Sequence, residues 1–267
     1  MTTVGDFCSY LEQFAPVHLA ADWDNVGLLL GDRSASAAKV MTCLTVTDET
    51  VQEALSQQVE LIITHHPFPF SPVKKISTDT WTGKNLWHLA SAGISVYSPH
   101  TAFDSARGGI NQQLAEGLHL TDIQSLEPFS DVNDGESESQ LGAGRVGCCE
   151  PTTLVDLADR LKSFLGIQVL QMVGDESRQV DKVGIACGSA GDFIQSASRH
   201  GCDVFITGEA RFHASLEARS LGLAMILPGH FASERFAMNI MAEQLQQQFT
   251  GSVVWASKEE ADPLRWL

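Results

Sequence analysis

Val40-Met41-Thr42-Cys43-Leu44-Thr45-Val46, followed by Thr47-Asp48, an amphipathic stretch to about Gln58 and a second apolar run Leu61-Ile62-Ile63-Thr64, decides the fold class. The first run is β-rich, Thr47 and Asp48 are helix-start residues, and the second run is short, apolar and bounded by polar residues. Strand, helix, strand in that order gives parallel strands joined by a crossover helix. Working outward, Asn85 to Ala92 reads as a helix closed by Gly93, and Ile94 to Tyr97 as a strand ending before Pro99. Asn111 to Glu116 reads as helical.

The pattern recurs. A shift of 143 positions lays Val183 on Val40, Asp203 on Glu60, Ile206 on Ile63 and Thr207 on Thr64. With a slightly different offset, Gly222 follows Gly93, the run Leu223 to Leu227 follows Ile94 to Tyr97, and Pro228 follows Pro99. Past the two prolines stand His100-Thr-Ala-Phe-Asp104 and His230-Phe-Ala-Ser-Glu234. A helix is expected near Thr153 to Leu165 and a strand near Val169 to Val173.

Between the copies, residues 130–144 are rich in Asp, Glu, Ser and Gly without hydrophobic period and read as a solvated linker. The expected organisation is therefore α/β, with two related α/β domains and mostly parallel sheets. The domains are 1–128 and 129–267, with a C-terminal helix free to pack back on the first.

In parallel α/β sheets functional groups gather at the carboxyl ends of strands. Three sets fall there: His65-His66 after Thr64, His100 with Asp104, and His230 with Glu234. Imidazoles with a few carboxylates suit zinc, iron, manganese or cobalt better than calcium or magnesium. The set is rich enough for two divalent ions. Adjacent histidines on extended backbone point to opposite sides, so His65 and His66 can serve different ions. Glu234, one turn after His230, is placed to bridge them. His100 is a ligand candidate or an orienting partner with a catalytic role, and Glu209 is a candidate acid or base. His18, His88, His119, His200 and His213 read as ordinary histidines. His213 is the least secure of these exclusions, because it follows the second-half counterpart of the His65-His66 strand.

Asp24-Asn25-Val26-Gly27 reads first as turn chemistry and second as a lining of the site. Gly188-Ser189-Ala190-Gly191 is only weakly like a phosphate-cradling turn, lacking both the dinucleotide-binding spacing and a Walker lysine. The cysteines, four single and one vicinal pair at Cys148-Cys149, read as small buried hydrophobes. A net charge of −16 disfavours nucleic acid and anionic membrane surfaces. With neither an export segment nor an apolar stretch of membrane-spanning length in the sequence, a cytoplasmic location is the expectation.

These residues together resemble the NIF-three-like family of dinuclear-metal proteins, many of which are labelled GTP cyclohydrolase 1 type 2 homologues. The resemblance is carried by Asp24-Asn25-Val26-Gly27-Leu28, Thr64-His65-His66-Pro67, His100-Thr101-Ala102-Phe103-Asp104, Thr207-Gly208-Glu209 and Gly229-His230 with Glu234, and spans nearly the whole chain. It implies a two-domain α/β monomer, a toroidal homohexamer, and a metal site in the cleft between the domains, where two metals are held by His65, His66, Asp104, His230 and a bridging Glu234. Family members commonly carry Asn-Leu where this chain has Ala102-Phe103, which leaves the ligands intact and alters the pocket wall. The implied activity is metal-dependent hydrolysis of a small molecule such as GTP; the rival expectation is a non-enzymatic metal-binding or regulatory ring.

Overall fold

The computed structural model describes residues 1–129 and 141–265. The chain divides into two compact units, the first formed by Met1–Phe103 with Ala237–Pro263 and the second by Asp104–Phe236.

In the first unit, helix α1 (Val4–Phe14) opens on a capping box in which Thr3 accepts from Asp6 N–H. Strand β1 (Gly27–Leu30) precedes β2 (Lys39–Cys43), α2 (Asp48–Gln57), β3 (Leu61–Thr64), α3 (Trp81–Ser91) and β4 (Ser95–Ser98). Thr47 caps α2 and Thr80 caps α3, each cap of this type stabilising a helix by about 1 kcal/mol. β2, β3 and β4 run parallel, and β1 lies antiparallel on β4. β3 and β4 are buried along their whole length, as strands covered on both faces must be. One face packs Met41, Cys43, Val51, Ala54, Ile62 and Leu86 into a core.

The short helix α4 (His100–Ser105) leads the chain into the second unit. There follow α5 (Ile110–Gly117), β5 (Thr121–Pro128), β6 (Gly142–Thr153), α6 (Leu154–Leu165), β7 (Gln171–Val173), β8 (Gln179–Ala186), α7 (Ile194–Arg199), β9 (Val204–Thr207), α8 (Phe212–Ser220) and β10 (Ala224–Leu227). The sheet order is β5-β6-β8-β9-β10-β7, parallel across β8, β9 and β10 and antiparallel elsewhere. Helix α9 (His230–Gln248) then returns the chain to the first unit, where β11 (Val253–Ala256) joins β2 in parallel and completes the order β1-β4-β3-β2-β11.

The internal repeat is real at the level of register. Val40 pairs Leu61 just as Val183 pairs Val204, each pair 143 positions from its counterpart. Leu61 pairs Ser95 as Val204 pairs Ala224, and β1 on β4 is matched by β7 on β10.

The expected boundary at 128/129 is corrected by the pairing of β5 with β6, which places both strands in one sheet of the second unit. Of the acidic stretch 130–144, residues 130–140 lie outside the described residues, while Gly142 already belongs to β6. Among the described residues no helix is long and apolar enough to cross a membrane.

Candidate metal centre

In the first unit, the ladder between β2 and β3 continues one step past the strands. His65 N–H donates to Cys43 O (3.1 Å) and His66 N–H to Leu44 O (2.8 Å), so the chain bends away from the strand while both residues stay tied to the end of β2. His65 is 1% exposed, and its carbonyl accepts the Ser98 hydroxyl at 2.6 Å. His66 Nδ1 lies 2.7 Å from the Thr45 hydroxyl.

His100 opens α4 with φ +26°, a left-handed value unusual for a side chain of this size. What holds it is Asp24: Nδ1 of His100 lies 2.8 and 2.9 Å from the two carboxylate oxygens, and Thr101 N–H donates to the same carboxylate at 3.1 Å. Burial pushes the Asp24 carboxyl up, but the bonds from His100 and Thr101 outweigh it and hold the group at about 2. The rings of His65 and His66 are 5.2 Å apart and those of His65 and His100 5.1 Å. Each of the three offers a nitrogen within 4.8 Å of the others, a spacing that one ion can fill.

Two exposed aromatics stand beside this cluster. Trp23 is 67% exposed and Phe70 59%, with ring centroids 6.0 and 6.3 Å from His100. A groove of about 450 Å³ runs from His66 along Pro67, Phe68, Phe70 and Trp81.

In the second unit, His230 and Glu234 share a face of α9, with Nε2 of His230 3.1 Å from Glu234 Oε2. Nδ1 of the same ring lies 3.1 Å from Glu209 Oε1. The Glu234 hydrogen bond, opposed by burial and aided by the Glu209 charge, pushes the His230 imidazole up to about 9. Two glycines make room for this pair. A Cβ on Gly188 (φ +69°) would meet Glu234 Oε1 at 2.2 Å, and one on Gly208 would meet the Ser233 hydroxyl at 2.5 Å. Ser233 in turn accepts Gly188 N–H at 3.0 Å.

Asp104 sits at the far end of α4, and its carbonyl accepts from Asn111 Nδ2 at 3.1 Å, while Asn111 Oδ1 accepts Cys187 N–H at 2.8 Å. Burial, reinforced by the charges of Glu234 and Asp104, holds the Cys187 thiol well above the usual range. Arg145 is fully buried close by and donates to the carbonyls of Gly142, Gly144 and Ala106. Burial lowers its guanidinium to about 10, against the supporting charges of Asp104 and Glu116.

The first unit thus gathers His65, His66 and His100, and the second gathers His230, Glu234, Glu209 and the neighbourhood of Asp104. His100 is one of three clustered imidazoles, and Glu209 is placed as the partner of His230 Nδ1. Among the described residues His18, His88, His119, His200 and His213 join no group able to hold an ion, and His213 is exposed. The cysteines are all free thiols.

Three contributions were missed or underrated in the sequence. The turn falls earlier than expected, closed by Asp24 N–H on Ala21 O, and Gly27 already opens β1; the Asp24 carboxylate accepts Asn25 N–H at 2.8 Å and fixes His100. Thr45 carried no signal. Gly188 cradles a carboxylate side chain of its own unit, which accounts for the glycine that a phosphate loop would also demand.

The Duf34/NIF3 (NGG1p interacting factor 3) family model matches residues 2–263. The chain belongs to this family. A GTP cyclohydrolase 1 type 2 homolog of Clostridium acetobutylicum is 34% identical, the alignment covering 98% of each chain. A NIF3 homolog of Schizosaccharomyces pombe is also 34% identical, over 92% of this chain and 91% of its own. Among solved structures, a Staphylococcus aureus protein superposes with a TM-score of 0.89 at 26% identity, covering 99% of each chain. A Bacillus cereus protein related to NIF3 shares the fold with a TM-score of 0.90 at 24% identity, again over 99% of each.

Proposed function

We propose that this Duf34/NIF3 protein is a metal-dependent hydrolase in which His65, His66, Asp104, His230 and Glu234 would hold two divalent ions. One observation carries the reading. Two of the proposed ligands, His66 and His230, have Nδ1 engaged by Thr45 and Glu209 respectively, and Asp24 engages Nδ1 of the neighbouring His100 in the same way. An outer partner on one ring nitrogen, fixing tautomer and orientation so that the other faces an ion, is the usual arrangement around ligating histidines. The donor set of imidazoles and carboxylates fits zinc, iron, manganese or cobalt.

Such ions supply Lewis-acid activation of water and stabilise developing negative charge. The chain's own residues do the rest. Asp24 orients His100, Glu209 orients His230, Gly188 leaves Glu234 room, and Gly208 leaves room for the Ser233 hydroxyl. Trp23 and Phe70 form an exposed aromatic wall beside His100.

A nucleotide is the substrate class we propose. It is supported by the names of relatives called GTP cyclohydrolase 1 type 2 homologs and by the aromatic wall, on which a planar base can stack. A ring-shaped hexamer working in the cytoplasm is the assembly and setting that accompany this reading.

Metal analysis of protein purified without chelators tests the centre. His65→Ala and Glu234→Ala are each expected to lose most of the bound ion while circular dichroism stays native, because the core strands do not depend on these side chains. Unchanged stoichiometry in both variants removes the pair from the ligand set. Turnover is tested with a nucleotide panel, in which Trp23→Ala is expected to raise KM about tenfold, the order of one lost stacking contact. Full metal loading without turnover of any panel member would favour a non-enzymatic metal-binding role instead.

A further inference from the structure

The last stretch of the described chain reaches back to the turn that holds His66. After β11, Ser257 N–H donates to Thr42 O (2.7 Å), and the Ser257 hydroxyl and Lys258 N–H donate to the Glu53 carboxylate at 2.6 and 3.1 Å. So anchored, the tail sets Glu260 across two consecutive amides. Its Oε2 accepts Leu44 N–H at 2.9 Å and its Oε1 accepts Thr45 N–H at 2.7 Å.

Leu44 and Thr45 follow β2, and the same two residues hold His66. Leu44 O accepts its N–H at 2.8 Å, and the Thr45 hydroxyl lies 2.7 Å from its Nδ1. A carboxylate bonded to backbone N–H groups makes charge-assisted bonds, about twice as strong as neutral ones. The turn is therefore fixed from outside by a residue 194 positions beyond His66 in the sequence.

We infer that Glu260 is a positioning residue for His66: its carboxylate fixes the Leu44-Thr45 turn, and the Thr45 hydroxyl then orients the ring and keeps the proton on Nδ1, so that Nε2 is the ring nitrogen that carries the lone pair. Only the ligand role of Nε2 rests on the metal reading. The control of the ring by the tail stands or falls without an ion.

The test uses the full chain with Glu260→Ala, the milder Glu260→Gln, Thr45→Val, Thr45→Ser and the Glu260→Ala/Thr45→Val double variant. Long-range nitrogen-proton NMR of the His66 ring in metal-free protein reads the tautomer directly. The wild type is expected to hold the proton on Nδ1, Glu260→Ala and Thr45→Val to populate both tautomers, and Thr45→Ser to restore the wild-type spectrum.

Competition against a chromophoric chelator for Mn²⁺ and Zn²⁺ gives a second readout. Thr45→Val is expected to weaken binding about tenfold, the low end for an outer partner of a ligand. Glu260→Ala is expected to weaken it severalfold and Glu260→Gln less. The double variant is expected to be no weaker than Thr45→Val alone, because one residue acts through the other. A wild-type tautomer in Glu260→Ala, or additive losses in the double variant, overturns the inference. A wild type that binds neither ion defeats the metal reading, and the metal-free spectra then still decide the relay.

Discussion

Three imidazoles of the proposed centre are each engaged at Nδ1 by a group distant in sequence. His100 is the clearest case, since its left-handed backbone is accompanied by a carboxylate, Asp24, 76 positions earlier, that takes Nδ1 and the next amide together. Asp24→Asn keeps the shape of that contact and removes its charge. The expected result is about tenfold weaker metal binding with little change in melting temperature, measured by chelator competition and by thermal unfolding. A variant that binds as tightly as the wild type would show that His100 needs no carboxylate behind it. Gly188 makes a sharper prediction. Gly188→Ala puts a methyl group at 2.2 Å from Glu234 Oε1 and asks a residue at φ +69° to adopt a strained backbone, so it should abolish most metal binding. Metal content equal to wild type would remove the glycine from the site. The histidines themselves were legible in the sequence, because strand ends advertise them. Asp24 and Gly188 were not, since a local motif cannot reveal a partner that only folding brings near.

At the scale of elements, the repeat was legible because four-residue strands buried on both faces leave apolar runs, and the residues at their ends recur with them. One detail of the repeat reads differently in the structure. The β4 and β10 register carries Pro99 onto Pro228 and His100 onto Gly229, so the two His-x-x-x-carboxylate pairs sit one residue out of step. On a helix, one residue turns a side chain by about 100°, so the copies are not interchangeable ligands. The tail's grip on α2 was invisible in sequence, and it carries a stability prediction. Burial pushes the Glu53 carboxyl up, but Ser257, Lys258, Glu259 and Trp255 hold it below its ordinary value of 4.5. A depressed carboxylate stabilises the fold above its unfolded range, and that contribution is lost as pH falls through the folded value. Glu53→Gln is therefore expected to cost about 2 kcal/mol at pH 7. As pH falls below 4.5 and through the lowered folded value, the gap between variant and wild type should close. Urea titrations at both pH values measure it, and a gap independent of pH contradicts the assignment.

For the whole molecule, the composition of the acidic stretch suggested a boundary that the strand pairing does not respect. Low hydrophobicity marks chain that need not be packed, and such chain occurs inside a unit as readily as between units. Here it lies in the sequence between β5 and β6, two partners in one sheet. The first unit, meanwhile, takes its fifth strand from residues beyond 250, along with the Ser257 and Glu260 bonds to α2 and the turn before it. A fragment of residues 1–128 therefore lacks β11 and the tail's bonds, exposes the edge of β2, and carries β5 without its partner. That fragment is expected to show no cooperative thermal transition. Met1–Phe103 joined through a flexible Gly/Ser linker to Ala237–Pro263 restores every strand of the β1-β4-β3-β2-β11 sheet and is expected to unfold cooperatively. Calorimetry on the two chains decides the matter: a sharp two-state melt for 1–128 would show that the first sheet does not need its C-terminal strand, and that the sequence boundary at 128 is a true folding boundary after all.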